Sequence, residues 1–472
     1  MMRSRTPALR WVLAALLTAC TACTGDSAPT PSGTTAVPDS SGDIVVASGR
    51  DVTGKGGIRQ QLIDTWNARQ DRLHTGRHAR LVELPGSADE QRSQLLGALQ
   101  SDSAQYDVIN LDVTWVPEFA EAGLIRPLPM GMVDADVIPS VAATARWNGE
   151  VYAVPFNSDV GLLYYRTDYL KKAGVQNTDL SKGLDWARLK ELIDTLDESS
   201  GKDRPRGYEK GWTAQFGAYE GRTVNGVEAF ESAQDTVTLT DDQGRYTASV
   251  QDLENGLAEL RGRTQGPYLL KDALHSDEDE SLTDFTNGRT AFLRHWPYAY
   301  RTLHQSLGGT QLGVAPLPGK AVLGGQNLAL TRSSGQQPGA RDLIGFLTGA
   351  ESERCLLDAG FAATRTSAYL NDDVTCGSET PSAAASASAS PSLAGESTDR
   401  MPRDTRGRPR YAPDILLPAL TDAVSRPRTP LYGAFTQTFA TELGKLFTND
   451  PPSDSELAEE LDKSLRHVLP AG

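Results

Sequence analysis

Asp112 closes the apolar run Tyr106-Asp-Val-Ile-Asn-Leu-Asp112 and is followed by Val113-Thr-Trp115. A carboxylate at a strand end can accept two donors from a ligand, or it can cap the helix that starts after it. Asn157 and Asp159 stand just past Pro155, where two polar side chains either line a cleft or make a turn. Trp296 lies between an apolar run and Pro297-Tyr298, and its indole serves either as a stacking plate or as a core aromatic. Gly325, Gln326 and Asn327 form a stretch whose backbone can approach a ligand closely. Arg426, before Pro427, carries a guanidinium fork for hydroxyls or a carboxylate, or else a surface charge; Tyr432 follows six residues on. Glu83 and Arg92 read first as surface charges. Acceptors, a fork and an indole suit a non-covalent grip on a ligand with polar rims and flat apolar faces.

Other chemistry is missing from the pattern. The six His show no metal-ligand spacing: His74 and His78 are four apart but have no third partner. There is no Gly-x-Ser-x-Gly elbow and no phosphate loop, and Gly54-Lys-Gly-Gly57 is too short for one. Neither a metal nor a cofactor is expected. The acid run Asp277–Glu280 reads as a solvated loop. Against 46 Lys+Arg stand 61 Asp+Glu, and a formal charge of -15 argues against nucleic acid. No 18-residue apolar stretch exists, so no membrane-spanning helix is expected. Four Cys in 472 residues exclude a disulfide-built scaffold, and the length suits two or three domain-sized units.

The elements that must hold these residues alternate. Strands are predicted at 43–48, 79–84 and 106–112, with helices at 58–69, 87–99 and 115–122 between and after them. That order means a parallel sheet with right-handed crossovers, whose ligand edge lies beyond the carboxyl ends of the strands. Further strands are expected at 150–155, 159–166, 312–318 and 328–330. Helices are expected at 168–173, 186–196, 251–260, 340–348, 415–424, 433–447 and 455–469; 198–211 reads as loop.

The first residues are an address. Arg3, Arg5 and Arg10 precede the apolar run Trp11–Ala19, the form of an export signal. Leu17-Thr-Ala-Cys20 resembles the bacterial lipobox, so Cys20 is the expected lipidation site after removal of residues 1–19; an ordinary secretory signal is the alternative. Two acyl chains anchor stably, and the Thr/Ser/Pro-rich stretch 20–42 is a flexible tether. Between Gly377 and Thr398, 19 of 22 residues are Gly, Ser, Ala, Pro or Thr, and 377–410 is expected to be a disordered insertion. Cys355 and Cys376 lie just before it. Export permits a disulfide between them, worth roughly 3 kcal/mol; two free thiols are the alternative.

Five stretches stand in order: Tyr106–Trp115 with Phe119-Ala-Glu-Ala-Gly-Leu124; Gly149–Pro155 with Leu162–Asp168; Asn287-Gly-Arg-Thr-Ala-Phe292 with Trp296; Leu317-Pro-Gly319 with Gly324–Leu330; and Arg426–Tyr432. Together they resemble the extracellular solute-binding proteins of ABC sugar importers. Trehalose- and maltose-binding lipoproteins look most similar. The resemblance implies two hinged α/β lobes of the type II periplasmic-binding-protein fold with a ligand cleft between them. Lobe one would comprise 43–157 plus 312–330, and lobe two 158–311 plus 331–472. It further implies a monomer that captures a carbohydrate, a di- or oligosaccharide, without breaking a bond. The cargo would pass to ABC permease subunits on the outer face of the bacterial cell membrane, with Asp112 of one lobe meeting Arg426 and Trp296 of the other. The rivals are a glycoside hydrolase using Asp112 and Asp159 as paired carboxylates, and a sensor lipoprotein without transport.

Overall fold

A computed structural model describes residues 39–50, 57–101, 106–233, 238–377 and 399–472. The export signal, Cys20 and most of the low-complexity stretch lie outside them. Among the described residues no helix is long and apolar enough to cross a membrane.

The chain begins as the alternation predicts: β1 (Ile44–Gly49), α1 (Ile58–Arg72), β2 (Ala79–Leu84), α2 (Ala88–Gln100), β3 (Val108–Asp112) and α3 (Val116–Glu121). β1 is buried along its whole length and pairs in parallel with both β2 and β3. α2 starts at a capping box, Ser87 with Glu90, which satisfies two first-turn donors. After α4 (Pro139–Thr144) and the short hairpin β4 (Arg146–Trp147) and β5 (Glu150–Val151), β6 (Ala153–Val160) joins the same sheet.

The second sheet is built next, from β7 (Leu162–Arg166), α5 (Thr167–Lys172), α6 (Trp186–Glu198), β8 (Lys210–Thr213), α7 (Glu220–Ala233), α8 (Val250–Thr264), α9 (Glu278–Thr286), β9 (Thr290–His295), α10 (Ala299–Ser306) and β10 (Leu312–Pro316). β11 (Leu323–Leu330) then returns to the first. The orders are β2-β1-β3-β11-β6 and β10-β7-β9-β8. α11 (Gln337–Leu347), α12 (Ala350–Ala359), α13 (Thr366–Leu370) and α14 (Leu417–Asp422) follow, then α15 (Tyr432–Gly444) and α16 (Asp454–Val468).

Two lobes are present, but their membership differs from the expected one. Leu312–Pro316 pairs antiparallel with Leu162–Arg166 and so belongs to lobe two. β6 runs on past Asn157 to Val160 before the chain crosses, so Asp159 joins Asn157 in lobe one. Residues 331–377 and 399–422 are also lobe one: α11 packs on β11 and α1, α12 on β6 and α1, and α14 on α4 and β6. The third crossing lies at Val424, which bridges Val322 in parallel. Only 426–472 returns to lobe two, where α15 packs on α7 and α16 on α8. Burial decides this. The apolar stripe Ala340, Leu343, Ile344 and Leu347 is fully covered only against the first sheet.

Cys355 and Cys376 are disulfide-bonded. Part of the expected disordered insertion 377–410 is corrected: Asp399–Arg410 is ordered. Arg408 Nη1 donates to Tyr369 O at 2.7 Å, Arg403 Nη2 to Asp358 O at 2.8 Å, and Met401 is 5% exposed. The charged residues of this stretch thus find partners on α12 and α13.

Candidate ligand-binding site

Strand register brings three of the expected residues into one row: Gln326 of β11 faces Asp112 of β3 on one side and Asn157 of β6 on the other. The register then slips between Gln326 and Asn327, and Gly325 precedes the slip at φ +112. A Cβ on Gly325 would lie 2.4 Å from Asn157 O, so glycine is required here by the neighbouring strand. Gly325→Ala is expected to destabilise the fold by about 2–4 kcal/mol, read as a lower Tm.

Asp112 does both things its position suggested. Its Oδ1 accepts Thr114 N at 2.9 Å and Thr114 Oγ1 at 2.7 Å, which holds the turn before α3. Arg426 Nη2 reaches its two oxygens at 2.9 and 3.1 Å. Arg426 is 3% exposed, and its Nη1 donates to Glu220 Oε1 at 2.6 Å. Glu220 opens α7 and also accepts from Tyr432 Oη and, at 2.6 Å, from Thr436 Oγ1. One guanidinium therefore joins a carboxylate of each lobe. Burial disfavours its charge, but Asp112, Tyr432 and Glu220 together raise its pKa well above the usual value. Burial raises the Glu220 carboxyl, opposed by Arg426.

Asp159 lies nearby in a different state. Its Oδ1 is buried and has no hydrogen-bond partner among the described residues. Burial pushes its carboxyl up to about 7, with Arg59 pulling it down and Asp112 adding to the rise. It borders Trp296 across Gly324, where a Cβ would meet Asp159 Cβ at 3.1 Å and Trp296 Cζ3 at 3.2 Å. Trp296 follows β9 and is partly exposed. The Arg294 guanidinium lies 3.9 Å from its ring centroid, and its Nε1 donates to Glu278 Oε1 at 3.2 Å. One face of the indole is thus covered by the guanidinium.

Three expectations need correction. Asn327 is fully buried and bonded to Thr144 behind the sheet, because successive side chains of β11 point to opposite faces and Gln326 takes the face of Asp112. Tyr432 is also fully buried, on α15 beside Phe435, and acts on Glu220 and Arg426 rather than facing the cleft. Asn157 is 3% exposed and accepts Arg59 Nη2 at 3.3 Å. Glu83 is exposed, while Arg92 pairs with Glu118.

The lobes touch beside the Arg426 link. Asp89 of α2 accepts the backbone N–H of Glu220, and a Cβ on Gly433 of α15 would meet Arg92 Nη2 at 2.1 Å. Among the described residues no group of three His, Cys, Asp or Glu is arranged to hold a metal.

Comparison with known proteins agrees with this architecture. Residues 71–384 match the model of the bacterial extracellular solute-binding protein family. The chain belongs to that family. A probable ABC transporter-binding protein of Deinococcus radiodurans is 30% identical over 317 residues, which cover 64% of this chain and 72% of that one. The fold is also that of maltose-bound T. maritima MalE3, with a TM-score of 0.69 and 21% identity over 90% of this chain and 100% of that one. The solute-binding protein of Thermotoga lettingae bound with α-D-tagatose is similar, with a TM-score of 0.66 and 20% identity over 90% and 100%. The protein is thus the solute-binding component of an ABC transporter, of a family that works outside the cytoplasm.

Within this solute-binding protein, sequence reasoning missed Arg59, Glu220 and Glu278. Arg59 donates to Gln326 Oε1 at 2.8 Å and Gly49 O at 2.8 Å, tying β1, β6 and β11 together. It follows Ile58 at the start of an amphipathic helix, where a charge normally reads as solvated. Glu220 belongs to a helix that the pattern did not reveal. Glu278 was read as part of a solvated acid run, yet it caps the indole Nε1.

Proposed function

We propose that this chain is a lipid-anchored receptor that captures a carbohydrate, a di- or oligosaccharide, and delivers it unbroken to an ABC permease. The observation that carries this reading is the single guanidinium of Arg426 shared by Asp112 and Glu220, beside the indole of Trp296 and the buried, unpartnered Oδ1 of Asp159. A guest held among these groups contacts both lobes only when they meet, so it favours closure, and the permease reads the closed form. Maltose and α-D-tagatose bound to proteins of the same fold support a sugar as cargo. Asp112 serves as a hydroxyl acceptor through lone pairs not taken by Arg426 and Thr114. The protein acts as a monomer, tethered through Cys20 to the outer face of the membrane.

A thermal-shift series over mono-, di- and oligosaccharides tests this. A true ligand at about 100 times its Kd adds roughly 2.7 kcal/mol of stability. The sugar should be recovered unchanged: glucose released from maltose or trehalose would instead make Asp112 and Asp159 a hydrolytic pair.

Capture should depend on pH with a defined sign. The Asp159 carboxyl sits at about 7, so the acceptor form grows as pH rises from 6 to 8 and the Kd for a hydroxyl donor falls. Without ligand the trend reverses. The unfolded carboxyl ionises near its usual value of 3.8, so stability is lost as pH rises from there through 7. Asp159→Asn should remove both slopes, as read by calorimetric titration and Tm against pH.

A further inference from the structure

Around Asp159 the nearby cations among the described residues, Arg59, Arg294 and Arg426, are already committed. Arg294, 1% exposed, is bidentate on Glu228 at 2.6 and 3.0 Å and reaches Gln215. Arg426 holds Asp112 and Glu220. Arg59 is bound to Gln326, Asn157 and the carbonyl of Gly49. Asp159 itself takes part in no ion pair among the described residues, and its Oδ1 is buried without a partner.

The surrounding acids add to this excess. Glu278 accepts from the neutral donors Trp296 Nε1 and Tyr219 Oη, the latter at 2.7 Å, and has no ion pair among the described residues. Asp112 and Glu220 share one guanidinium, so their triad is negative overall. Beside these carboxylates stand the Trp296 indole and the Tyr298 phenol, whose pKa Asp159 and Glu278 both help to raise, after burial. Carboxylates flanked by aromatic rings are the environment that attracts an organic cation.

We propose that the preferred cargo of this cleft is a saccharide bearing a protonated amine, with the Asp159 carboxylate as its counter-ion. This rests on the carbohydrate reading above and narrows it. A neutral sugar can bond Asp159 but leaves its ionised form without a counter-charge, so the buried carboxyl has to keep its proton; an ammonium group supplies both bond and charge. A uronic acid or sugar phosphate would meet repulsion. The ammonium also drives Asp159 to its ionised form, so capture near neutral pH expels a proton from the site.

The test is calorimetric titration of the full chain at pH 7 with three matched sets. They are glucose, cellobiose and trehalose; glucosamine, the β-1,4 glucosamine disaccharide and trehalosamine; and the N-acetylated form of each amine. At least one free amine is expected to bind about ten-fold or more tightly than its neutral and acetylated counterparts. It should release protons, as read in buffers of different ionisation enthalpy, and lose its advantage in Asp159→Asn. That variant loses a buried charge with no partner and should melt no lower than wild type. If neutral and amine forms bind alike, or the preference survives in Asp159→Asn, the amine assignment is overturned while carbohydrate capture stands. If no sugar of any set binds, both fail.

Discussion

Replacing Arg426 with methionine is expected to abolish capture and to lower unfolding stability by about 3–5 kcal/mol, the usual cost of breaking a buried ion pair from one side. Asp112 and Glu220 side chains are 19% and 10% exposed and would face each other across the lobe boundary with no cation between them. Tyr432 and Thr436 would still donate to Glu220, which limits the loss, but nothing in the network replaces the double bond to Asp112. The two effects separate in a triple variant, Arg426→Met with Asp112→Asn and Glu220→Gln. Neutralising both acids should recover most of the stability, since a neutral network carries no unpaired charge. It should not recover capture, because the link between lobes stays broken. Thermal melts and titration with a sugar identified in the thermal-shift series read the two separately. Unchanged capture in Arg426→Met would remove this guanidinium from the mechanism.

Trp296→Ala is expected to weaken ligand affinity by about 30-fold, roughly 2 kcal/mol of lost apolar contact, with little change in Tm. Two observations support that split. The ring is partly exposed, so its removal opens no sealed core cavity. Arg294 loses a cation–π neighbour but keeps both bonds to Glu228. Trp296→Phe is the informative control. It retains a plate but loses the bond to Glu278, so it should recover most of the affinity if stacking dominates. Unchanged binding in Trp296→Ala, or outright unfolding, would make the indole a core residue.

The parts of this protein that are legible in its sequence are those governed by local pattern. β1, β2 and β3 with their helices follow from alternating apolar runs and from caps such as Ser87 with Glu90. The linear stretches around Asp112, Trp296 and Arg426 were enough to suggest the family. α7 left no such trace. Gly221, Thr223, Val224, Asn225 and Gly226 are poor helix formers in succession, and the helix exists because Val224, Val227 and Phe230 bury against α8 and α15. It brings Glu220 and Glu228, two acids that organise the cleft.

By itself, then, the sequence determined the type of those elements that carry a local apolar pattern, the mixed α/β class, and the residue kinds near the strand ends. Only the tertiary structure decided which lobe each segment joins and which polar side chains face the cleft. Gln326 and Asn327 are adjacent and equally polar, yet one lies toward Asp112 and the other in the core beside Thr144. Side chains on a strand change face at every residue, so pairing with a distant strand, not local composition, fixes which of two neighbours a ligand can meet.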